Sequence, residues 1–166
     1  MESYNQKDFL DAGLSMKFVQ DNHSKSAKGV LRGLHFQREH PQGKLVRVIS
    51  GAAYDVGVDL RKGSPTYGKY FGMVLTAENK KQLYIPEGFA HGFLSLKEGT
   101  EFLYKVTDFW YKESEDGLLW NDKDININWP IKEYKIENVN INERDKTWQS
   151  FEELQSPFKY KKIDLK

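Results

Sequence analysis

An all-β sandwich or small barrel is the fold class that this sequence predicts, on three observations. Short runs rich in Val, Ile, Phe and Tyr recur along the chain, Gly- and Pro-containing turns separate them, and the clearest run alternates with a period of two. In "AAYDVGVDLR", Val56, Val58 and Leu60 alternate with Asp55, Gly57 and Asp59. The 166 residues suit one domain, residues 1–166, with a tail from about residue 143 to 166 packing on it.

The elements follow in order. "NQKDFLDAGL" reads as a short helix with Gly13 near its end. "KFVQDNHSKS" leads into the strand "GVLRGLHFQ", and the loop "REHPQG" leads into the strand "KLVRVIS". Gly51 turns the chain into "AAYDVGVDLR", and "KGSPTYG" has turn chemistry before the strand "KYFGMVLTAEN". "KQLYIPEGFAHGFLSL" is broken by Pro86 and Gly88, and "TEFLYKVTDFWY" is another aromatic, β-branched run. In "DGLLWNDKDININWP", Ile125 and Ile127 alternate with Asn126 and Asn128 as in a strand. Ser150 and Glu153 have capping-box spacing, so a short C-terminal helix is expected to begin at Ser150.

One strand is out of pattern. In "GVLRGLHFQ", Val30, Leu34 and Phe36 share one parity and His35 and Gln37 the other, but Arg32 falls on the apolar parity. Either Arg32 points into a cavity, or Gly33 marks a bulge that turns it round. Both options imply a polar pocket, so Arg32 and His35 are expected to reach one cavity across an irregular backbone at Gly33.

Composition narrows the function. A net charge of +1 gives no electrostatic footprint for nucleic acid or an acidic membrane surface. With no cysteine, disulfides, thiolate catalysis and Cys-based metal sites are excluded. The start "MESYNQKDFL" lacks the pattern of a signal peptide and no stretch has the length of a membrane span, so a cytoplasmic protein is expected.

Two of the four histidines lie in apolar segments, His35 and His91; a buried structural role competes for each. "PEGFAH", with Pro86, Gly88 and His91, has the Pro-x-Gly-x-x-His spacing of the second cupin motif. Metal-binding cupins carry His-x-His in the first motif, but here the place reads His35-Phe36-Gln37, and Lys44 follows. An amide is a poor ligand and an ammonium repels a divalent ion, so no metal is expected. Taken singly, Lys44 reads as a strand-end surface lysine, Tyr104 as a core aromatic, and Phe109-Trp110-Tyr111 as packing or a stacking platform.

Taken together, "FVQDNHSKS", "GVLRGLHFQ", "QGKLVRVISG", "DVGVDLRKGSPTYG", "LYIPEGFAHGF", "EFLYKVTDFW" and "EDGLLWNDKDININWP" resemble the dTDP-4-dehydrorhamnose 3,5-epimerase family, in this order, from about Glu2 to Pro130. The resemblance implies a cupin jelly roll, a homodimer, no metal, no organic cofactor, and a dTDP-linked 4-keto-6-deoxy sugar as substrate. It implies that His35 is the base and Tyr104 the acid on the opposite face, with Lys44 near the developing oxyanion. The best match to the Asp that orients the His is Asp145, in "NERDK", with Arg144 at a ligand-contact position. Further implied ligand contacts are Glu2, Gln20, Asp21, Asn22, Arg32, His91 and Glu115, and Arg32 suits a diphosphate oxygen.

The chemistry needs such residues. A ketone at C4 acidifies the hydrogens at C3 and C5, and inversion requires a base on one face of the ring, an acid on the other, and a group that stabilises the enolate. Two departures stand out. Trp110 stands where the family usually has a Tyr stacked on thymine, and base binding is expected to survive on the larger ring. Members of the family also carry, upstream of "ESYN", a segment with an Arg-Gly pair that helps hold the diphosphate and contributes strands to the dimer; its contribution is expected to be missing here. Competing readings are a single-centre epimerase, a metal-dependent cupin bound through His35 and His91, and a sugar-nucleotide binding relative without turnover.

Overall fold

The computed structural model describes residues 1–161; residues 162–166 of the expected C-terminal tail lie outside the described residues. A short helix, α1 (Gln6–Asp11), is capped by the Asn5 side chain and ends before Gly13 in the left-handed region. Ten strands follow: β1 (Gln20–Ser26), β2 (Val30–Gln37), β3 (Lys44–Ser50), β4 (Ala52–Asp59), β5 (Tyr70–Thr76), β6 (Gln82–Ile85), β7 (Phe89–Ser95), β8 (Thr100–Val106), β9 (Glu115–Gly117) and β10 (Asn140–Ile141).

They form two sheets. The smaller has the order β1-β8-β3-β6, and the larger has the order β10-β2-β7-β4-β5, with β9 pairing the end of β2. All pairings are antiparallel except β10 with β2. Val46, Val48 and Phe102 of the small sheet meet Ala53, Leu75 and Phe93 of the large one, and the Phe93 and Phe102 rings stack at 4.3 Å. This apolar plug fills one end of the space between the sheets in an all-β jelly roll. Among the described residues, no helix is long and apolar enough to cross a membrane.

A second, larger apolar cluster lies on the outer face of the large sheet. Leu34, Phe36, Val56, Val58 and Leu94 pack there beneath Leu118, Ile125, Trp129, Ile136 and Leu154 from the C-terminal part of the chain. Both faces of β4 are therefore covered, and the parity holding Asp55, Gly57 and Asp59 is as buried as the one holding Val56 and Val58. Asp59 is satisfied locally, because Arg61, Ser64 and Thr66 all donate to its carboxylate and so shape the turn after β4.

Two expected elements do not form. Residues 121–128 are not a strand: Asp122 Oδ1 accepts the amides of Asp124 and Ile125, and Asn126 has φ +51°, which breaks the extended path. Ile125 nevertheless reaches the core. Ser150 and Glu153 do exchange capping-box bonds, with Ser150 N–H donating to Glu153 Oε2 and Glu153 N–H to Ser150 Oγ, but the chain makes one turn and no helix. The Phe151 amide donates to Asp122 instead, tying that turn to the 121–125 loop.

The irregularity in β2 is a bulge. Arg32 pairs with Phe93 and His35 with His91, so β2 spends one residue more than β7 between these pairs. Gly33 has φ +116° there. The extra residue inverts the parity of the strand. Leu31 before it and Leu34 and Phe36 after it all face the outer cluster, leaving Arg32 and His35 on the inner side together. Leu31, rather than Val30, belongs with the apolar set. A Cβ at residue 33 would lie 2.6 Å from Gly92 Cα and 2.7 Å from the His91 carbonyl oxygen. Gly33→Ala is expected to cost roughly 2–4 kcal/mol from overlap and unfavourable φ, measured by urea denaturation.

Candidate active site

Beyond the apolar plug, the space between the sheets opens into a two-lobed cavity, with lobes of about 300 and 280 Å³. His35, Lys44, Tyr104, Trp110 and Glu115 border both lobes. His35 comes from the large sheet, whereas Lys44 and Tyr104 come from adjacent strands of the small one. The imidazole and the phenol thus stand on opposite walls of one chamber.

His35 is paired with a carboxylate that belongs to the far end of the chain. Its Nε2 lies 2.7 Å from Oδ1 of Asp145, which is fully buried in the short 3₁₀ turn Arg144–Lys146. Asp145 Oδ2 accepts the Gly33 amide at 2.9 Å, and Trp148 Nε1–H donates to Oδ1 at 3.2 Å. Burial pushes the Asp145 carboxyl up, but the bonds from His35, Gly33 and Trp148 outweigh it and hold it below the usual carboxylate range. An ionised acceptor at Nε2 keeps the proton on that nitrogen and leaves Nδ1 free to face the cavity.

A second carboxylate–imidazole pair lies deeper. His91 Nε2–H donates to Asp55 Oδ1 at 2.7 Å, and both side chains are buried. Burial lowers the His91 pKa, and Lys44 and His35 lower it further against the pull of Asp55, so the ring is neutral at pH 7. Asp55 Oδ2 is buried with no hydrogen-bond partner among the described residues. Its charge acts on Lys44: burial drops the Lys44 pKa from 10.5 to about 8, while Asp55 and then Glu115 pull it back up. Burial also raises the Tyr104 pKa, with Arg32 opposing and Glu115 adding, which keeps the phenol protonated.

The mouth is polar. Gln20 and Asn22 alternate inward on β1 and border one lobe; Arg32, His91 and Arg144 border the other. Arg32 and Arg144 are exposed, and Arg144 is ion-paired with Glu115. Trp110 is half-exposed at the rim. Two expected contacts fall elsewhere. Asp21, between Gln20 and Asn22, alternates to the outer face, where Lys105 Nζ donates to it at 2.9 Å. Glu2 accepts from Asn5 beside the helix cap and does not border the cavity.

Three contributors were not singled out from sequence. Gln37, at the place of the second His of the metal motif, clamps the Trp110 loop. Its amide donates to the carbonyls of His40 (2.6 Å) and Phe109 (3.1 Å) and accepts the Tyr111 amide (2.7 Å). Asp55 was visible only as a polar alternant, and Trp148 carried no signal beyond lying three residues after Asp145. Among the described residues, no group of three or more His, Asp or Glu side chains is placed to hold a metal ion.

Comparison with known proteins adds to this geometry. The family model described as dTDP-4-dehydrorhamnose 3,5-epimerase matches residues 1–153. The chain is 58% identical over 144 residues to the dTDP-4-dehydrorhamnose 3,5-epimerase of Shigella flexneri, covering 86% of this chain and 80% of that one. It is 53% identical over 151 residues to the enzyme of the same name from Pseudomonas aeruginosa, covering 90% and 81%. The crystal structure of dTDP-6-deoxy-D-glucose-3,5-epimerase from Legionella pneumophila, in complex with dTDP-4-keto-L-rhamnose, superposes with a TM-score of 0.92 at 41% identity, covering 97% and 85%.

The Asp55 charge has a measurable consequence. In Asp55→Asn the chief attraction that keeps Lys44 protonated is gone, so Lys44 is expected to lose its proton below the present value of about 8. A ¹⁵N NMR titration of the lysine side chain checks this; an unchanged midpoint contradicts it.

Proposed function

We propose that this chain, which belongs to the dTDP-4-dehydrorhamnose 3,5-epimerase family, inverts C3 and C5 of a dTDP-linked 4-keto-6-deoxyhexose by removing and returning protons alpha to the C4 ketone. The observation that carries the mechanism is that His35, tied to buried Asp145, and Tyr104 border one cavity from opposite sheets.

In this reading His35 Nδ1 takes the proton from the carbon next to the ketone. The bond electrons move into an enolate whose oxygen needs a positive partner, and Lys44 supplies it. A fixed charge in a desolvated chamber is worth more than the same charge in water. Asp145 stabilises the imidazolium that forms and holds the ring in one orientation. Tyr104, kept protonated by burial, returns a proton to the opposite face of the carbon, which inverts the centre. Once solvent has taken the proton from His35 and restored one to Tyr104, the same sequence at the other alpha carbon completes the double inversion.

The nucleotide end rests on the mouth. Arg32 and Arg144 border one lobe and suit the diphosphate, a dianion matched by planar, multiply donating guanidinium groups. Trp110 offers a π-face for the base at the rim, and Gln37 fixes the loop that presents it. His91 lines the same lobe, and Gln20 and Asn22 line the other, where they offer neutral hydrogen-bonding groups to the substrate. We extend the reading to a cytoplasmic homodimer; the unpaired outer edge of β1 and the exposed Val19 and Ile49 support a covering partner.

The direct test is incubation with the 4-keto sugar nucleotide in heavy water, with deuterium located by NMR. Deuterium is expected at both C3 and C5; label at one carbon alone means a single-centre enzyme, and none with a folded protein rejects the reading. His35→Ala and Tyr104→Phe are each expected to cut kcat by about 10²-fold or more, Tyr104→Phe at close to parental stability and His35→Ala as a folded protein with lower resistance to denaturant, because it takes one donor from buried Asp145. Either variant turning over at near-parental rate removes that residue from proton transfer. Because Lys44 must be charged, kcat/KM is expected to fall as pH rises past about 8. A profile that stays flat well above that pH removes Lys44 from oxyanion stabilisation.

A further inference from the structure

We propose that Trp148 is a positioning residue of this site: its indole N–H shares the Asp145 oxygen that His35 uses, and its ring fixes the plane of the imidazole. The inference rests on the reading of His35 as the base. It is carried by four contacts of one side chain. Trp148 Nε1–H donates to Asp145 Oδ1 at 3.2 Å, the same atom that lies 2.7 Å from His35 Nε2. The indole and imidazole rings meet edge to face, with centroids 6.1 Å apart and planes at 73°. The Arg144 guanidinium carbon sits over the indole, 5.5 Å from its centroid. The indole also occupies the space left by Gly117, which pairs with His35 across β9 and β2; a Cβ at residue 117 would lie 2.6 Å from Trp148 Cε2.

These contacts give the indole two effects. It limits how far the imidazole can rotate, so that Nδ1 stays aimed into the cavity. It also draws charge from Oδ1. A carboxylate oxygen with one donor holds an imidazolium more strongly than one with two, so deleting the indole N–H tightens the grip of Asp145 on the protonated form of the base. The charged and titratable groups facing His35 are Asp145 and Arg144 from the C-terminal segment, Lys44 from β3, His91 from β7, Tyr104 from β8, Glu115 from β9 and Arg32 on its own strand. Of these, Arg144 and Asp145 meet the indole, and Trp148→Phe removes one donor from the field and no charged group.

Trp148→Phe keeps a ring and deletes the donor. It is expected to lower kcat about tenfold, to leave KM near parental because the indole does not border the cavity, and to move the acidic limb of kcat/KM to higher pH. Loosened packing alone would lower activity at every pH without moving that limb. A folded variant with parental kcat and an unmoved limb overturns the proposal. If the variant does not fold, the parental protein decides. In ¹⁵N-labelled protein without substrate, the Trp148 indole resonance is expected to shift with the same midpoint as the His35 ring. An indole resonance indifferent to His35 protonation overturns the proposal. Since that titration needs no turnover, its failure is separable from failure of the epimerase reading, which the heavy-water experiment reports.

Discussion

The Asp145 carboxylate joins two places that are 110 and 112 residues away in the chain, the His35 ring and the Gly33 amide. Both oxygens are engaged inside the protein, and none of the residue is exposed. A buried carboxylate survives in its charged form only if donors replace the water it lost. The bulge at Gly33 provides one of them, an amide that is not spent on the ladder to β7. The same bulge turns His35 to the side where Asp145 waits. Folding the C-terminal segment onto the large sheet and assembling the pair are therefore one event. A chain that failed to seat residues 144–148 would lose the orientation of His35 along with the cover of its outer core.

The two carboxylate–imidazole pairs have equal His–Asp distances, 2.7 Å, but different surroundings. Asp145 is saturated with donors, and His35 opens to the cavity. Among the described residues Asp55 keeps one oxygen free of hydrogen bonds, and His91 is buried to 6% exposure at the lobe it borders. The deeper pair thus serves as a fixed negative charge rather than a proton carrier. Its effect falls on Lys44, whose desolvation would otherwise carry it further towards the neutral amine. Removing Asp55 would leave Lys44 with the weaker help of Glu115, which is itself committed to Arg144. Charge in this chamber is set by groups on both sheets, from His35 on β2, Lys44 on β3 and Asp55 on β4 to His91 on β7, Tyr104 on β8 and Glu115 on β9.

Much of this was readable in the sequence because a sheet imposes a period of two. The misplaced Arg32 next to a glycine announced the bulge, and the motif segments placed His35, Lys44, His91 and Tyr104 on the chamber walls. The failures share a physical cause. Alternation reports which face a side chain takes and not what lies beyond that face. Asp55 on a polar parity looked the same as a solvated residue, although its side faces a closed interior. Asp21 shares the motif segment of Gln20 and Asn22, but alternation sends it outward to Lys105. The Ile125–Asn128 run kept the strand pattern, but an Asp122 turn takes its backbone bonds. Trp148 and Gln37 act through bonds to partners more than 70 residues away or through a three-residue turn, and no local pattern encodes those.

The jelly roll explains why two-sided proton chemistry suits this chamber. Two sheets packed face to face stand about 10 Å apart, and side chains from each reach towards the middle. A hexopyranose ring between them presents one face to each sheet. In the proposed mechanism His35 on the large sheet and Tyr104 on the small one address opposite faces from their places on the two walls. Lys44 lies on β3, beside the β8 strand of Tyr104. In their register Val46 opposes Tyr104 and Lys44 opposes Val106, which makes Lys44 and Tyr104 diagonal neighbours on the inner face. An enolate oxygen at C4 is flanked by C3 and C5 alike. In the proposed mechanism one cation beside it serves both inversions; between them the ring shifts against the two walls, and His35 and Tyr104 exchange protons with solvent to recover their starting states.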